Sequence, residues 1–328
     1  MRQASNLRSV LDTWRTRLSR RGLQGARPLT RDDGLVVDAD LLTKLDRLTL
    51  ALGRDLISGL MGEHLASRRT TGIEFADYRA YSVGDDLRRV DWNAYARLGT
   101  LHVRQAQAEH DTVLYVLVDA SPSMAHGAPT KFLSARRLAA ALGYVGLAHL
   151  DAVVMTTPGA AVAGSPTGGR ETRYRGRAES GSLFRDLQGI EPRSVAGFDR
   201  LLANWSAGRG QGRIAVVISD LLLDGYRDGV RQLLSAGFQT TVLHVLSPEE
   251  LSPIDEGDLE LVDSETGERM DVHLGKEAMH EYHHRLNDWL AECQGWCRTH
   301  GANYLLVRSD WDVERVMLDM LRRRGVTA

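Results

Sequence analysis

The sequence predicts an α/β protein with a doubly wound, mostly parallel sheet, and three observations carry that reading. Two near-continuous apolar runs, TVLYVLVD at residues 112–119 and RIAVVISD at 213–220, have the texture of strands buried on both faces. Between and after them, alanine- and leucine-rich stretches repeat their apolar residues at three and four, as helices do. The two kinds of segment alternate, which is the pattern of a sheet covered by helices on both sides.

Taken in order, residues 1–37 are expected to form a basic arm and linker. Arg2, Arg8, Arg15, Arg17, Arg20, Arg21 and Arg27 stand against Asp12 alone, and Leu7, Val10, Leu11, Trp14 and Leu18 recur at helical spacing. A basic helical arm over residues 1–30 would suit an anionic membrane surface or an acidic partner. The plainer alternative is a solvated, partly ordered terminus. Asp38 or Asp40 can then cap a helix through LLTKLDRLTLALGRDL. Residues 60–100 read as short strands and turns broken at Gly84, Asp85 and Asp86, and LHVRQAQAE alternates like a half-exposed strand. Residues 38–105 are thus expected to be a helix plus a small β-containing subdomain.

The main domain is expected over residues 106–328. After TVLYVLVD come a helix in KFLSARRLAAALGYVGLAHL, strand-like DAVVMTT and AAVAG, and helices in SLFRDLQGI and FDRLLANW. RIAVVISD leads to a helix in YRDGVRQLLSAG and a strand in FQTTVLHVL. A hairpin is expected near residues 258–274, turning at Glu265-Thr266-Gly267-Glu268. A long helix, EAMHEYHHRLNDWLAECQGWCRTH, the strand NYLLVRSD and a helix in WDVERVMLDMLRRR close the chain.

Composition excludes several roles. A net charge of -2 over 328 residues argues against nucleic-acid binding by the whole chain, which needs a positive surface. Two cysteines, Cys293 and Cys297, make no disulfide framework, so a reducing, cytoplasmic setting is expected. No apolar run approaches the ~20 residues of a membrane span. No Gly-x4-Gly-Lys-Ser/Thr phosphate loop and no Gly-x-Ser-x-Gly elbow occurs, so neither a nucleotide cofactor nor serine hydrolysis is expected.

The chemistry concentrates where apolar strands end in aspartate. Asp119 closes one run and Asp220 the other, and LVDASPSM adds hydroxyls in alternation at Ser121 and Ser123. Open α/β sheets bind ligands beyond the carboxyl ends of their strands. If the two strands are neighbours, these oxygens suit a hard cation such as Mg²⁺. The competing reading is a polar turn in which Asp119 and Ser121 satisfy loop amides and Ser123 caps the next helix. His280, His283, His284, Cys293 and Cys297 share one predicted helix. About 13 Å separates His284 from Cys293 along it at ~1.5 Å per residue, too far for one zinc ion, so the cysteines are expected in the core.

Asp-x-Ser-x-Ser after a buried strand, with Asp ending a later strand, resembles the metal-ion-dependent adhesion site of von Willebrand factor A domains. The block GIEFADYRAYSVGDDLRRVDWNAYARLGTLHVRQ resembles the signature of the bacterial domain-of-unknown-function 58 (DUF58) family, which joins it to a von Willebrand A-like domain. The resemblance implies Mg²⁺ at Asp119, Ser121, Ser123 and Asp220. The threonine such a site also takes is missing from EPRSVAGFDRLLANW, where Ser194 would substitute. It further implies a non-enzymatic adaptor working with a MoxR-type AAA+ ATPase in assembling or activating another complex. The rival is a Mg²⁺-dependent phosphoryl-transfer enzyme or hydrolase using Asp119. Within the block, Tyr81, Gly84, Asp85, Asp86, Arg88, Asp91, Trp92 and Arg97 are candidates for a docking surface, with an internal clamp around a buried Trp92 as the alternative.

Overall fold

The computed structural model describes residues 16–20, 36–61, 78–82, 90, 92–104, 112–158, 169–192, 213–222, 225–253, 257–263 and 269–322. Its elements run β1 (Thr16–Arg20), α1 (Ala39–Met61), β2 (Tyr78–Ala80), α2 (Trp92–Leu98), β3 (His102–Arg104), β4 (Val113–Val118), α3 (Lys131–His149), β5 (Ala152–Pro158), β6 (Gly169–Tyr174) and α4 (Ser180–Gln188). Then follow β7 (Arg213–Ser219), α5 (Tyr226–Ser235), β8 (Gln239–Leu246), α6 (Pro248–Leu251), β9 (Gly257–Asp263), β10 (Arg269–Leu274), α7 (Lys276–Thr299), β11 (Asn303–Arg308) and α8 (Val313–Arg322).

Six strands make the main sheet in the order β11-β8-β7-β4-β5-β6. Every neighbouring pair is parallel except β5 and β6, so the predicted mixed α/β architecture with a mostly parallel sheet stands. The chain steps outward from β4 through β5 to β6, then returns to β4's other side with β7. The strand order therefore reverses between β4 and β7, where such sheets open a crevice at their carboxyl ends.

Alternation along β4 divides the core. Leu114, Val116 and Val118 face one layer with Leu45 and Leu48 of α1, Leu138 and Leu142 of α3, and Met317 of α8. Val113, Tyr115 and Leu117 face the other, with Val230 of α5 and Leu286, Trp289 and Cys293 of α7. Helix α3 is buried nearly throughout, because α1 covers the side that the sheet does not. Asp38 caps α1, its Oδ1 accepting from Leu41 N at 2.8 Å. Since α1 shares the layer of α3 and the sheet, the division expected at residues 105 and 106 does not part this helix from the main core.

Three expectations change. Residues 16–20 form a strand paired antiparallel with β9, not part of a helical arm. Their backbone completes a sheet of order β1-β9-β10, and that ladder overrides the helical spacing of the leucines. Trp92–Leu98 is a helix where short strands and turns were expected. The polar edge strand β6, GRETRY, was not anticipated. The hairpin of β9 and β10 is as expected. Expected elements at AAVAG and FDRLLANW lie outside the described residues.

Candidate functional site

The apolar strands β4 and β7 pair in parallel, with Val118 opposite Ile218, so both terminal aspartates emerge at one edge. Asp119 N extends the ladder by donating to Ile218 O at 2.9 Å. Asp119, Ser121, Ser123 and Asp220 are all buried. The structure thus brings four of the five predicted ligands together, while Ser194 lies outside the described residues.

Each of these four already has protein partners. Asp119 Oδ1 accepts from Ser121 N at 2.9 Å and Oδ2 from Ser219 Oγ at 2.5 Å. The hydroxyls of Ser121 and Ser123 bond one another at 2.9 Å. Asp220 Oδ1 accepts from Leu222 N at 3.1 Å, and Ser123 also bonds this carboxylate. The tight turn sets Leu221 at φ 55°, a left-handed conformation unusual for a bulky residue and of the kind that gathers at functional sites. Ser123 caps no long helix: Thr130 does, its side chain accepting from Leu133 N at 3.1 Å.

The residue that organises the crevice is Lys131, the first of α3. Its side chain is fully buried, and Nζ lies 2.8 Å from Asp220 Oδ2 and 2.5 Å from Glu250 Oε1. Burial alone would lower the ammonium's pKa, but the charges of Asp220 and Glu250 outweigh it and hold the proton on. The ammonium in turn outweighs burial at Asp220 and lowers that carboxyl's pKa. Asp119 is pushed up to about 6 by burial and by the charge of Asp220.

Glu250 is held for this contact by a capping box. Its Oε2 accepts from Ser247 N at 2.7 Å while Ser247 Oγ accepts from Glu250 N at 3.3 Å. Gly127 permits the preceding loop to approach: a Cβ there would lie 2.5 Å from Ser247 Cβ, and its φ is 97°. Beneath the crevice, His244 is fully buried. Its Nε2 donates to Asp220 O at 3.0 Å, which leaves Nδ1 to accept from Tyr304 Oη at 2.7 Å. Burial holds this imidazole neutral, with a pKa of about 3.

This donor set fits a divalent cation poorly. A Mg²⁺ bonded to Asp220 at ~2.1 Å would share that carboxylate with an ammonium already 2.8 Å away. Among the described residues, no three His, Cys, Asp or Glu side chains are placed to hold one ion.

Sequence reasoning missed Lys131, Glu250 and His244. A lysine opening an apolar helix and a histidine inside TTVLHVL were the available signals. Of the signature block, Tyr81 donates its N–H to Leu101 O at 2.9 Å. Trp92 is 59% exposed, so the clamp around a buried indole is overturned. It meets Tyr95 edge to face at 6.3 Å. Arg97 is exposed, and Gly84, Asp85, Asp86, Arg88 and Asp91 lie outside the described residues. Cys293 and Cys297 are buried as expected, their thiols raised by burial to about 11 and about 12. Among the described residues no helix is long and apolar enough to cross a membrane.

Comparison with known proteins gives the lineage. Uncharacterized proteins of Mycobacterium tuberculosis and Mycobacterium bovis are 29% identical over 303 residues, covering 90% of this chain and 94% of theirs. Two solved structures align over about two thirds of the chain. BatB from Bacteroides thetaiotaomicron has 14% identity and a TM-score of 0.38, covering 66% of this chain and 100% of its own. An aerotolerance-related membrane protein from Bacteroides fragilis has 18% and 0.36, covering 65% and 99%. The family model for the protein of unknown function DUF58 matches residues 77–288, and the chain belongs to that family.

Proposed function

We propose that this protein is a non-enzymatic interaction module of the von Willebrand A-like type, an adaptor for a MoxR-type AAA+ ATPase in assembling or activating another complex. One observation carries the reading: the polar groups at the strand-order switch are spent on one another. Asp119 is held by Ser121 and Ser219, Ser121 by Ser123, and Asp220 by Lys131. A nucleophile needs an adjacent base aimed at it. Here the imidazole of His244 is turned to a backbone carbonyl and a tyrosine, and both thiols are buried. The exposed edge-to-face pair of Trp92 and Tyr95, with exposed Arg97 on the same short helix, has the residue types that interfaces favour.

The test is to mix the chain with a MoxR-type AAA+ ATPase, with and without ATP, and follow co-elution. A stable complex weakened by Trp92→Ala is expected. Separate elution under both nucleotide conditions would count against the adaptor. A phosphoesterase activity that disappears in Asp119→Ala would put the enzyme reading in its place.

A further inference from the structure

We infer that the ammonium of Lys131 is the resident cation of this crevice, and that the wild-type chain takes no divalent metal at Asp119, Ser121, Ser123 and Asp220. Oxygen clusters at strand ends need positive charge, since two carboxylates brought into a water-poor crevice repel. Lys131 meets that need from within, bridging Asp220 at 2.8 Å and Glu250 at 2.5 Å. An ion on Asp220 Oδ2 would lie within about 5 Å of the ammonium, given a metal–oxygen bond of ~2.1 Å. At that range, in a poorly solvated site, a monovalent and a divalent cation repel strongly. The contest is also unequal in entropy. The ammonium is tethered to the first turn of α3, so it needs no translational freedom to be surrendered, whereas a free ion does.

The geometry around the bridge supports a fixed partner rather than a guest. Glu250 has its second oxygen locked by the capping box with Ser247, and Tyr282 Oη donates to the carbonyl of the same residue. Ser309 Oγ donates to Pro129 O at 2.8 Å, fastening the loop that delivers Lys131. Both carboxylates of the bridge are thus aimed by backbone contacts that involve no metal.

Mn²⁺ titration of the full-length protein, read by electron paramagnetic resonance, tests this with thermal melts in EDTA and in millimolar Mg²⁺. The wild type should leave the Mn²⁺ signal that of the free ion and melt at one temperature in both buffers. Lys131→Met, of matched length but without charge, should melt lower. Saturable Mn²⁺ binding by the wild type that is lost in Asp220→Asn would overturn the inference. So would a Lys131→Met protein that melts with the wild type. The wild-type titration decides the matter even where the variant does not fold.

Discussion

Asp119 shows how strongly one side chain can depend on its surroundings. Its carboxyl is raised from 3.8 to about 6 by burial and by neighbouring Asp220. The protonated form therefore contributes stability that is complete below about 3.8 and lost as pH rises through about 6. Asp119→Asn, which does not titrate, should cost most near pH 4 and about 2 kcal/mol less near pH 7. His244 has the opposite sign: its pKa falls from 6.5 to about 3, so its contribution is present above 6.5 and lost on acidification. The two oppose each other in the window they share, and Asp119→Asn should expose the acid sensitivity of His244. Urea unfolding across that pH range measures both effects, and a gap between variant and wild type that ignores pH would contradict a buried, raised carboxyl. Asp119, Ser121, Ser123 and Asp220 were legible because both apolar runs end in aspartate and the first is followed by alternating serines. Lys131 was not, since a lysine at a helix start reads as a solvated one. Its partners stand 89 and 119 residues away, beyond any local pattern.

Among the elements, strands buried on both faces and long helices were readable, and short or polar ones were not. Strands β4, β7 and β8 announce themselves by continuous burial. The edge strand β6 is made mostly of charged and polar residues and takes its structure from pairing with β5. Helix α2, at 7 residues, is too short for periodicity to separate it from a turn. The strand β1 exists through its pairing with β9, more than two hundred residues later in the chain. The loop between β4 and α3 yields a test of packing. Gly127→Ala would press a Cβ against Ser247 and impose a positive φ on alanine. A loss of about 1–3 kcal/mol is expected, readable as a lower urea midpoint with an unchanged slope.

For the molecule as a whole, the alternation of segments was enough to predict the fold, and the DUF58 match places that fold in a lineage. What no local pattern carries is strand order, because it depends on which crossover returns to which edge. That order matters, since it sets Asp119 beside Asp220. It also sets a hierarchy of opening. Amide exchange under native conditions should be slowest in β4, β7 and β8, which have neighbours on both sides, and faster in the edge strand β6. Equal protection across the sheet would indicate that it opens only as one unit.

The span of the Lys131 bridge has a consequence for synthesis. Lys131 leaves the ribosome 119 residues ahead of Glu250. At about 5–20 residues per second that delay is roughly 6 to 24 s. Through it the nascent chain carries α3, buried along nearly its whole length in the finished fold, with Glu250 not yet there to meet its leading ammonium. Until the later strands of the sheet follow, that helix exposes apolar surface which the finished fold covers.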